Sequence, residues 1–351
     1  MNGMTQKKYK ELHDRGYPTT ASIELTTRCN LACDYCFVTP VSNELTTKEL
    51  RETLDRLADS GIISLLLTGG EPFLRSDILA ILEHVVKRQF FDTVILSNGT
   101  VLTPDHIVFL RDHAKFFGYI RFTFFSHHAA IHDAFTGAAG SFDRTLAAAD
   151  ALHAAGVRMM VIVNLTESNI AAINETKTFF SSRGFSVHIG SMKINASDYI
   201  RSTYAPTTTK HFFKTYFSLT AGDGVEIMRQ QFEEHLCHDP FNDLLCENLL
   251  GNITVLANGD IVPCPSFRSH SIGNITSDSR PIHEIVQTSD LYRELRTLHR
   301  SDLEKCGSCR FVRFCVLCPG MMFSENGSWE EPMQQTCNYA HAYYETLYEQ
   351  R

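Results

Sequence analysis

Residues 28–36 of the chain read Arg-Cys-Asn-Leu-Ala-Cys-Asp-Tyr-Cys, which places three cysteines at the spacing C-x3-C-x2-C. The stretch follows a short apolar run, residues 22–26, that predicts a β-strand. Three thiolates on one loop, from Cys29, Cys33 and Cys36, can hold three irons of a four-iron cluster and leave the fourth iron open for a ligand. A zinc ion that takes its fourth ligand from a histidine is the alternative interpretation.

Beyond this stretch, short apolar runs alternate with amphipathic segments, which is typical of a repeated βα unit. Six strands are predicted, at residues 22–26, 62–67, 93–97, 120–126, 157–164 and 186–190. We therefore expect an α/β fold, a partial (β/α)6 barrel of the TIM type, with its chemistry on the loops at the C-terminal ends of the strands.

Length and composition favour a globular protein with more than one domain. The 351 residues are 43% hydrophobic and 21% charged, with no signal-peptide core and no run of about 18 apolar residues. A net charge of −8 leaves no concentrated basic stripe for nucleic acid. We expect a cytoplasmic protein that binds neither membrane nor nucleic acid. Its predicted parts are an N-terminal extension (1–20), the barrel (21–231) and a small cysteine-rich α+β domain (232–351).

The 11 cysteines fall into two groups, which indicates two metal-bearing regions. Structural disulfides do not suit a reducing compartment, so metal or redox chemistry is the better interpretation. Between Cys246 and Cys264 stands Asn258-Gly259, a strong hairpin-turn signal that would bring the two flanking cysteines together. A zinc ribbon is the alternative for the paired C-x2-C spacings. The second group comprises Cys237, Cys246, Cys264, Cys306, Cys309, Cys315, Cys318 and Cys337.

Polar motifs follow three of the other predicted strands. Gly69, Gly70 and Glu71 follow the second strand; the glycines there would let a ligand lie against the backbone, and the carboxylate could accept hydrogen bonds from an ammonium group. Asn98 follows the third strand and Ser126 the fourth, and both offer polar groups suited to a ribose or a carboxylate. Each motif taken alone is more typical of a helix cap or a loop than of a binding site.

Together, the cysteine triad and the Gly-Gly-Glu-Pro motif at residues 69–72 resemble the radical S-adenosylmethionine (SAM) superfamily. The resemblance implies that the open iron of a 4Fe-4S cluster binds the amino and carboxylate groups of SAM. It implies further that residues 69–71 receive the ammonium group and that Tyr35 lies beside the adenine. Asn98 and Ser126 would contact the ribose and carboxylate, although Ser126-His127-His128 departs from the residues usual in the family.

The later cysteines resemble the SPASM domain, which carries auxiliary iron-sulfur clusters. By this resemblance one auxiliary 4Fe-4S cluster is held by Cys306, Cys309, Cys315 and Cys337, and three corners of another by Cys246, Cys264 and Cys318. We predict that Cys237, nine positions before Cys246, is the missing fourth ligand. Its alternatives are a buried free cysteine or a hydrogen-atom donor to a product radical. The spacing departs from the family in one place, since two residues rather than three separate Cys315 and Cys318.

The function implied by the resemblance is reductive cleavage of SAM to a 5′-deoxyadenosyl radical, which abstracts hydrogen from a substrate carbon. Flavodoxin or ferredoxin would supply the electron. Because SPASM proteins include the maturases of pyrroloquinoline quinone and mycofactocin, we expect a ribosomally made peptide as substrate, presented by a separate leader-binding protein.

Three other functions stay open. One is oxidation of a small molecule such as an aminoglycoside or a porphyrin side chain. Another is anaerobic sulfatase-type maturation, which is disfavoured because Pro265 follows Cys264 where an aspartate is expected. The third is a zinc-stabilised binding module without catalysis.

Overall fold

Six parallel strands, joined in the order of the sequence, form the centre of the fold. The computed structural model describes residues 11–12, 15–166, 168–191, 210–221, 224–238, 243–246 and 248–349. All six predicted strands are present with slightly shifted ends, and the α/β fold class is confirmed. The strands are β1 (Thr20–Glu24), β2 (Ser64–Thr68), β3 (Asp92–Ser97), β4 (Phe117–Phe124), β5 (Met159–Leu165) and β6 (Ser186–Ser191).

Three further strands extend the same sheet beyond β1. β7 (Asn252–Val255) pairs in parallel with β1, and β8 (Asp260–Val262) and β9 (Gly273–Asn274) follow it in antiparallel pairing. The sheet order among the described residues is β6-β5-β4-β3-β2-β1-β7-β8-β9. The predicted hairpin is therefore present, and it continues the barrel's sheet across the predicted boundary at residue 232. That boundary itself stays a prediction.

Helices fill the connections, and the first shows how the local sequence places one. The hydroxyl of Thr46 accepts from the amide of Glu49, whose carboxylate accepts in return from the Thr46 amide at 2.8 Å, which is a capping box. The buried Leu50, Leu54 and Leu57 share one face of the helix. The helices are α1 (Thr47–Asp59), α2 (Ile78–Arg88), α3 (Pro104–Asp112), α4 (Ala129–Thr136), α5 (Ser141–Ala154), α6 (Ile173–Ser182), α7 (Lys210–Ala221), α8 (Val225–His238), α9 (Asn248–Gly251), α10 (Ile282–Thr288), α11 (Asp290–Thr297), α12 (Pro319–Asn326) and α13 (Gln334–Tyr348).

The two faces of the strands have different surroundings because side chains alternate along a strand. In β1, Ala21 and Ile23 are fully buried in the main hydrophobic core. Ser22 and Glu24 point to the other face, where they line a cavity at the centre of the sheet's inner surface. The inner face of the sheet thus carries the polar positions from which a site can be built.

The C-terminal region packs through an aromatic layer. α13 lies against α7, with Tyr343 stacked on Phe217 at 4.7 Å between ring centroids. A separate apolar cluster that includes Met321, Met322 and Met333 also contains Cys306 and Cys315 of the second cysteine group. Among the described residues, no helix is long and apolar enough to cross a membrane.

A buried histidine gives the fold a predictable dependence on pH. Burial lowers the pKa of His132 to about 4, although the nearby Asp133 carboxylate raises it. Its Nδ1 accepts from the Phe125 amide at 3.4 Å, which requires an unprotonated nitrogen. The unfolded chain binds a proton at this histidine below about pH 6.5, whereas the folded protein does so only near pH 4. The free energy of unfolding therefore falls as the pH is lowered from 6.5 towards 4.

We expect His132→Gln, which keeps an acceptor but cannot titrate, to remove about 2 kcal/mol of the loss in unfolding free energy between pH 7 and pH 5. Urea unfolding under anaerobic conditions, compared with wild type at pH 7 and at pH 5, measures the effect. His188→Gln, at an exposed position of β6, is the control. Parallel pH profiles of wild type and His132→Gln would contradict the prediction.

Candidate functional site

The cysteine loop that follows β1 is fastened to the C-terminal end of α4. The amide of Ala32 donates to the carbonyl of Thr136 at 2.9 Å, and the amide of Asp34 donates to the carbonyl of Phe135 at 3.2 Å. Both acceptors belong to the last turn of α4, where carbonyls lack partners within the helix. The free carbonyls at the helix end therefore accept hydrogen bonds from the loop amides, and these bonds hold the loop across the strand ends.

A carboxylate fixes the residues that connect β1 to the triad. Glu44 accepts hydrogen bonds from the hydroxyl of Thr26 at 2.9 Å and from the amide of Thr27 at 2.6 Å, and it pairs with Arg28 at 3.4 Å. Burial raises the pKa of Glu44, but the hydrogen bonds from Thr27 and Thr26 and the charge of Arg28 outweigh it and hold the pKa below its usual range. The backbone that connects β1 to Cys29 is thereby held in place.

Gly69 and Gly70 bring the end of β2 into direct contact with the backbone after β1. A Cβ on Gly69 would lie 2.2 Å from the carbonyl oxygen of Thr26, and one on Gly70 would lie 2.2 Å from that of Arg28. The amide of Gly70 donates to the Thr26 carbonyl at 2.7 Å. The glycines are thus required by contact between two strand ends, whereas the sequence suggested room for a ligand as their reason.

Glu71 is completely buried and joins the ends of β2 and β3. Its Oε1 accepts from the Phe73 amide at 3.0 Å and the Ser97 hydroxyl at 2.9 Å, and its Oε2 accepts from the Asn98 amide at 2.6 Å. Burial raises the pKa of Glu71 to about 7, although these three hydrogen bonds lower it. Three protein donors therefore take most of the roughly four acceptor positions of the carboxylate.

Asn98 lies beside the first cysteine. Its Nδ2 donates to the side chain of Asn30 at 3.0 Å and stands 3.7 Å from the Sγ of Cys29. Its Oδ1 accepts from the amide and the hydroxyl of Thr100. The side chain thus connects the third strand end to the cysteine loop.

Tyr35 and Ser126 have contrasting surroundings. The ring of Tyr35 packs edge-on against Phe125 at 5.2 Å, and burial raises the pKa of its hydroxyl, which is hydrogen-bonded to Thr123. Ser126 is fully buried, and its hydroxyl accepts from the amide of His128 at 3.1 Å in the turn that leads into α4. This local hydrogen bond gives Ser126 a part in the turn, and Ser126 is not among the residues that line the cavity described next.

A cavity of about 280 Å³, here called the interior cavity, brings most of the predicted residues together. It is lined by all three cysteines of the triad and by Tyr35, Gly69, Gly70 and Asn98. Four polar residues that sequence reasoning missed also line it, namely Ser22, Glu24, Thr123 and Asn164, and so does Pro265. Strand alternation could have indicated Ser22 and Glu24, because each is a polar residue on the face of β1 opposite the apolar one.

The triad has the donor set that an iron-sulfur cluster needs. Burial raises the pKa of Cys33 to about 12, with contributions in the same direction from the neighbouring Cys29 and Cys36. Thiols in such surroundings stay protonated until a metal centre stabilises the thiolates, so binding of a cluster would release protons here. Cys29 itself is exposed and accepts from the Leu31 amide at 3.5 Å.

The described later cysteines lie near one another in two groups. Burial raises the pKa of Cys264 to about 12, with contributions in the same direction from the neighbouring Cys318 and Cys246. Burial likewise raises the pKa of Cys315 to about 12, with Cys337 and Cys306 adjacent, and Cys309 is a neighbour of Cys337. Cys237 belongs to α8, but its side chain lies outside the described residues.

The described cysteines form neither disulfides nor a site compact enough for one metal ion. None of the ten cysteines with described side chains forms a disulfide. Nor do three or more His, Cys, Asp or Glu side chains of the described residues converge closely enough for one metal ion. A four-iron cluster is wider than a single ion, so its thiolates stand further apart. Which cysteine holds which iron stays a prediction.

Two family profiles match the chain. The profile of the radical SAM superfamily matches residues 23–180, which run from the end of β1 into α6 and include the cysteine triad. The profile of SPASM, described as an iron-sulfur cluster-binding domain, matches residues 246–310, which begin at Cys246 and include the hairpin of β7 and β8.

Relatives of two kinds align with nearly the whole chain. An AdoMet-dependent heme synthase of Methanosarcina barkeri is 27% identical over 90% of this chain and 95% of its own length. AlbA, an antilisterial bacteriocin subtilosin biosynthesis protein of Bacillus subtilis, is 25% identical over 86% of this chain and 67% of its own length. Among solved structures, SuiB of Streptococcus suis bound to its precursor peptide SuiA superposes with a TM-score of 0.74 at 17% identity, covering 95% of this chain and 80% of SuiB. At that identity the likeness concerns the fold alone.

We expect Gly70→Ala to displace the cysteine loop, because the new Cβ would overlap the Arg28 carbonyl. The cost should be about 1–3 kcal/mol of stability, as for an overpacked core, together with loss of iron from the triad. Iron content and SAM affinity, measured by equilibrium dialysis, report the change. Gly224→Ala, where nothing lies within 4 Å of the added Cβ, is the matched control. Full iron content in Gly70→Ala would show that the close contact does not shape the triad.

We expect Cys237→Ala to lose or destabilise the iron of one auxiliary cluster, since it would leave that cluster with three thiolates. The measurement is iron and sulfide content, with Mössbauer spectra, in a background where the triad is changed to alanine so that only auxiliary clusters contribute. Cys246→Ala, at the same predicted site, is the reference for the loss. Unchanged iron, sulfide and spectra in Cys237→Ala would assign Cys237 to a free thiol.

Proposed function

We propose that this chain, which belongs to the radical SAM superfamily and carries a SPASM domain, is a maturase that oxidises a residue of a ribosomally made peptide. Its cofactors are 4Fe-4S clusters and SAM. When bound, the cluster at the triad and SAM together supply a 5′-deoxyadenosyl radical that can abstract hydrogen from an unactivated carbon. The chain's own residues bind, orient and shield the reacting groups.

The observation that carries the radical SAM activity is the interior cavity. Three cysteines of one loop open into the same space as the Gly69–Gly70 backbone, Asn98 and Tyr35. Cys29, Cys33 and Cys36 would hold the cluster, and the exposed position of Cys29 leaves that side open to a ligand. The backbone at Gly69 and Gly70 would accept the ammonium group of SAM, and Tyr35 would lie at the adenine.

Glu71 has a different part in this proposal from the one predicted by resemblance. Its carboxylate is fully buried and is held by Phe73, Ser97 and Asn98. We assign it to positioning: it fixes the strand end that carries Gly70 against the one that carries Asn98. A direct hydrogen bond to SAM would have to use the one acceptor position that these donors leave.

The cavity's size and charge favour a peptide side chain over a large anionic substrate. At about 280 Å³ it lies just below the range for small-molecule sites, roughly 300–1,000 Å³, and SAM must share it. Among its described lining residues there is no Lys or Arg, and Glu24 is the one carboxylate. A substrate with several carboxylates would meet no compensating cation there, whereas one uncharged side chain of a peptide can enter without that cost.

A porphyrin side chain is the second candidate substrate. The specific observation in its favour is the alignment with AdoMet-dependent heme synthases, which extends over nearly the full length of both proteins. Anaerobic sulfatase-type maturation is less favoured, because Pro265 lines the cavity directly after Cys264 where an aspartate would be needed.

The same proposal includes the partners and the compartment. A flavodoxin or ferredoxin would deliver electrons, and a separate leader-binding protein would present the peptide. The described cysteines form no disulfide, which suits the reducing cytoplasm.

The test begins with SAM cleavage. We expect the triple change of Cys29, Cys33 and Cys36 to alanine to abolish dithionite-dependent formation of 5′-deoxyadenosine, because no cluster can form at the triad. The auxiliary-cluster absorbance should persist, since those cysteines lie in another region of the chain. Continued 5′-deoxyadenosine formation by the triple variant would refute the assignment of the triad.

The substrate is then identified by product. The reconstituted wild-type protein is incubated with SAM, dithionite and either candidate precursor peptides or carboxylated tetrapyrroles, and masses are recorded. A peptide that loses hydrogen in proportion to 5′-deoxyadenosine supports the maturase. Loss of carbon dioxide from a tetrapyrrole side chain, with unchanged peptides, would establish the second candidate instead.

A further inference from the structure

A buried ion pair joins the interior cavity to the loop that carries Cys264. Glu24 is the last residue of β1, and its side chain is 3% exposed. Arg268 follows the single helical turn Pro265–Phe267, and its side chain is 13% exposed. The guanidinium donates through Nη1 to Glu24 Oε1 and through Nη2 to Oε2, the latter at 3.0 Å. This two-point contact spans 244 positions of sequence.

The pair fixes the position of Arg268 relative to β1 because separating two buried charges is strongly unfavourable. A buried carboxylate or guanidinium without a partner is strongly unfavourable, so the two groups stay together. The planar guanidinium contacts both carboxylate oxygens, which fixes orientation as well as distance. The position of Arg268 relative to β1 is thereby set.

The turn before Arg268 contacts two cysteines of one predicted auxiliary site. Ser266 is hydrogen-bonded to Cys264, and its hydroxyl stands 3.9 Å from the Sγ of Cys318. Pro265, in the same turn, lines the interior cavity. A shift of this turn would therefore move a wall of the cavity and two cysteines together.

Other contacts hold the C-terminal region to the barrel without touching the cavity. Arg56 of α1 donates to the carbonyls of Ile275 and Arg280, the latter at 2.7 Å, and the amide of Leu45 donates to the carbonyl of Ala257 at 2.8 Å. With the pairing of β1 and β7, these contacts keep the sheet continuous. Attachment of the two regions does not depend on the Glu24–Arg268 pair.

We infer that Glu24 and Arg268 are a positioning pair, which holds the turn after Cys264 against the interior cavity and so sets the distance from the reacting substrate to the auxiliary site of Cys246, Cys264 and Cys318. This rests on the proposed function, in which that site holds a cluster. When a substrate radical in the cavity is oxidised, one electron must cross this distance, and the rate of electron transfer falls steeply with distance. The pair then matters for product formation and not for SAM cleavage.

The test uses the reconstituted full-length protein with Glu24→Gln, Arg268→Met and Arg268→Lys, and Arg56→Met as the matched control for an interregional contact away from the cavity. We expect 5′-deoxyadenosine formation to stay near wild type in the Arg268 and Arg56 variants, whose residues do not line the cavity. In Glu24→Gln and Arg268→Met, product per 5′-deoxyadenosine should fall roughly ten- to hundredfold, the scale on which misplacement by about 1 Å acts. Arg268→Lys, which retains one point of contact, should restore part of the ratio.

Two measurements do not depend on turnover. In a background with the triad changed to alanine, the midpoint potential of the auxiliary clusters, followed by electron paramagnetic resonance, should shift in Glu24→Gln and Arg268→Met and stay constant in Arg56→Met. Hydrogen exchange of residues 264–268 should be faster in the first two variants alone.

Several outcomes would overturn the inference. Unchanged potential and exchange in Arg268→Met would show that the pair positions nothing. An equal effect of Arg56→Met would reduce the pair to one of several interface contacts. An effect of Glu24→Gln without one of Arg268→Met would make Glu24 a substrate contact instead. If wild type makes no product from any peptide, the proposed substrate fails, and the inference is decided by the potentials and by hydrogen exchange.

Discussion

The site depends on one close contact, that of the Gly69–Gly70 backbone with the carbonyl oxygens of Thr26 and Arg28. Any side chain at either glycine would separate the ends of β1 and β2. Glu71, next in sequence, connects these two strand ends to the end of β3, because it accepts hydrogen bonds from Ser97 and Asn98. Three adjacent strand ends are thereby tied together, and the cysteine triad stands on the first of them.

The cost of this arrangement is a carboxylate buried away from water. Burial raises the pKa of Glu71 to about 7, and three hydrogen bonds offset part of that cost. Burial also disfavours the charged form of the thiols, since it raises the pKa of Cys33, Cys264 and Cys315 to about 12. Without metal the thiols are protonated and held together by the surrounding fold, so cluster assembly and local structure are expected to stabilise one another.

The C-terminal region completes the cavity as well as supplying further cysteines. β7 extends the barrel's sheet along β1, and the turn at Pro265 reaches the interior cavity from that side. The two regions matched by separate family profiles therefore share one sheet and one cavity. The cysteine triad and the turn that follows Cys264 therefore lie at the same cavity.

Local sequence was sufficient for the elements, because strand alternation and turn signals are properties of neighbouring residues. The six strands and the Asn258-Gly259 hairpin follow from such patterns, whereas the grouping of the auxiliary cysteines was inferred from family resemblance and stays a prediction. The strand-end pattern and the resemblance both placed Ser126 at a ligand, which stays a prediction; in the structure its hydroxyl accepts from the His128 amide within its own turn.

Contacts between distant residues were decided only by the tertiary structure. The sequence does not reveal that Glu24 meets Arg268, or that Gly69 and Gly70 face the backbone after β1, because nothing in the spacing of these residues records which surfaces pack together. Their partners follow from the register of β1 with β2 and β7 and from the curvature of the sheet, which are set by the packing of the whole core.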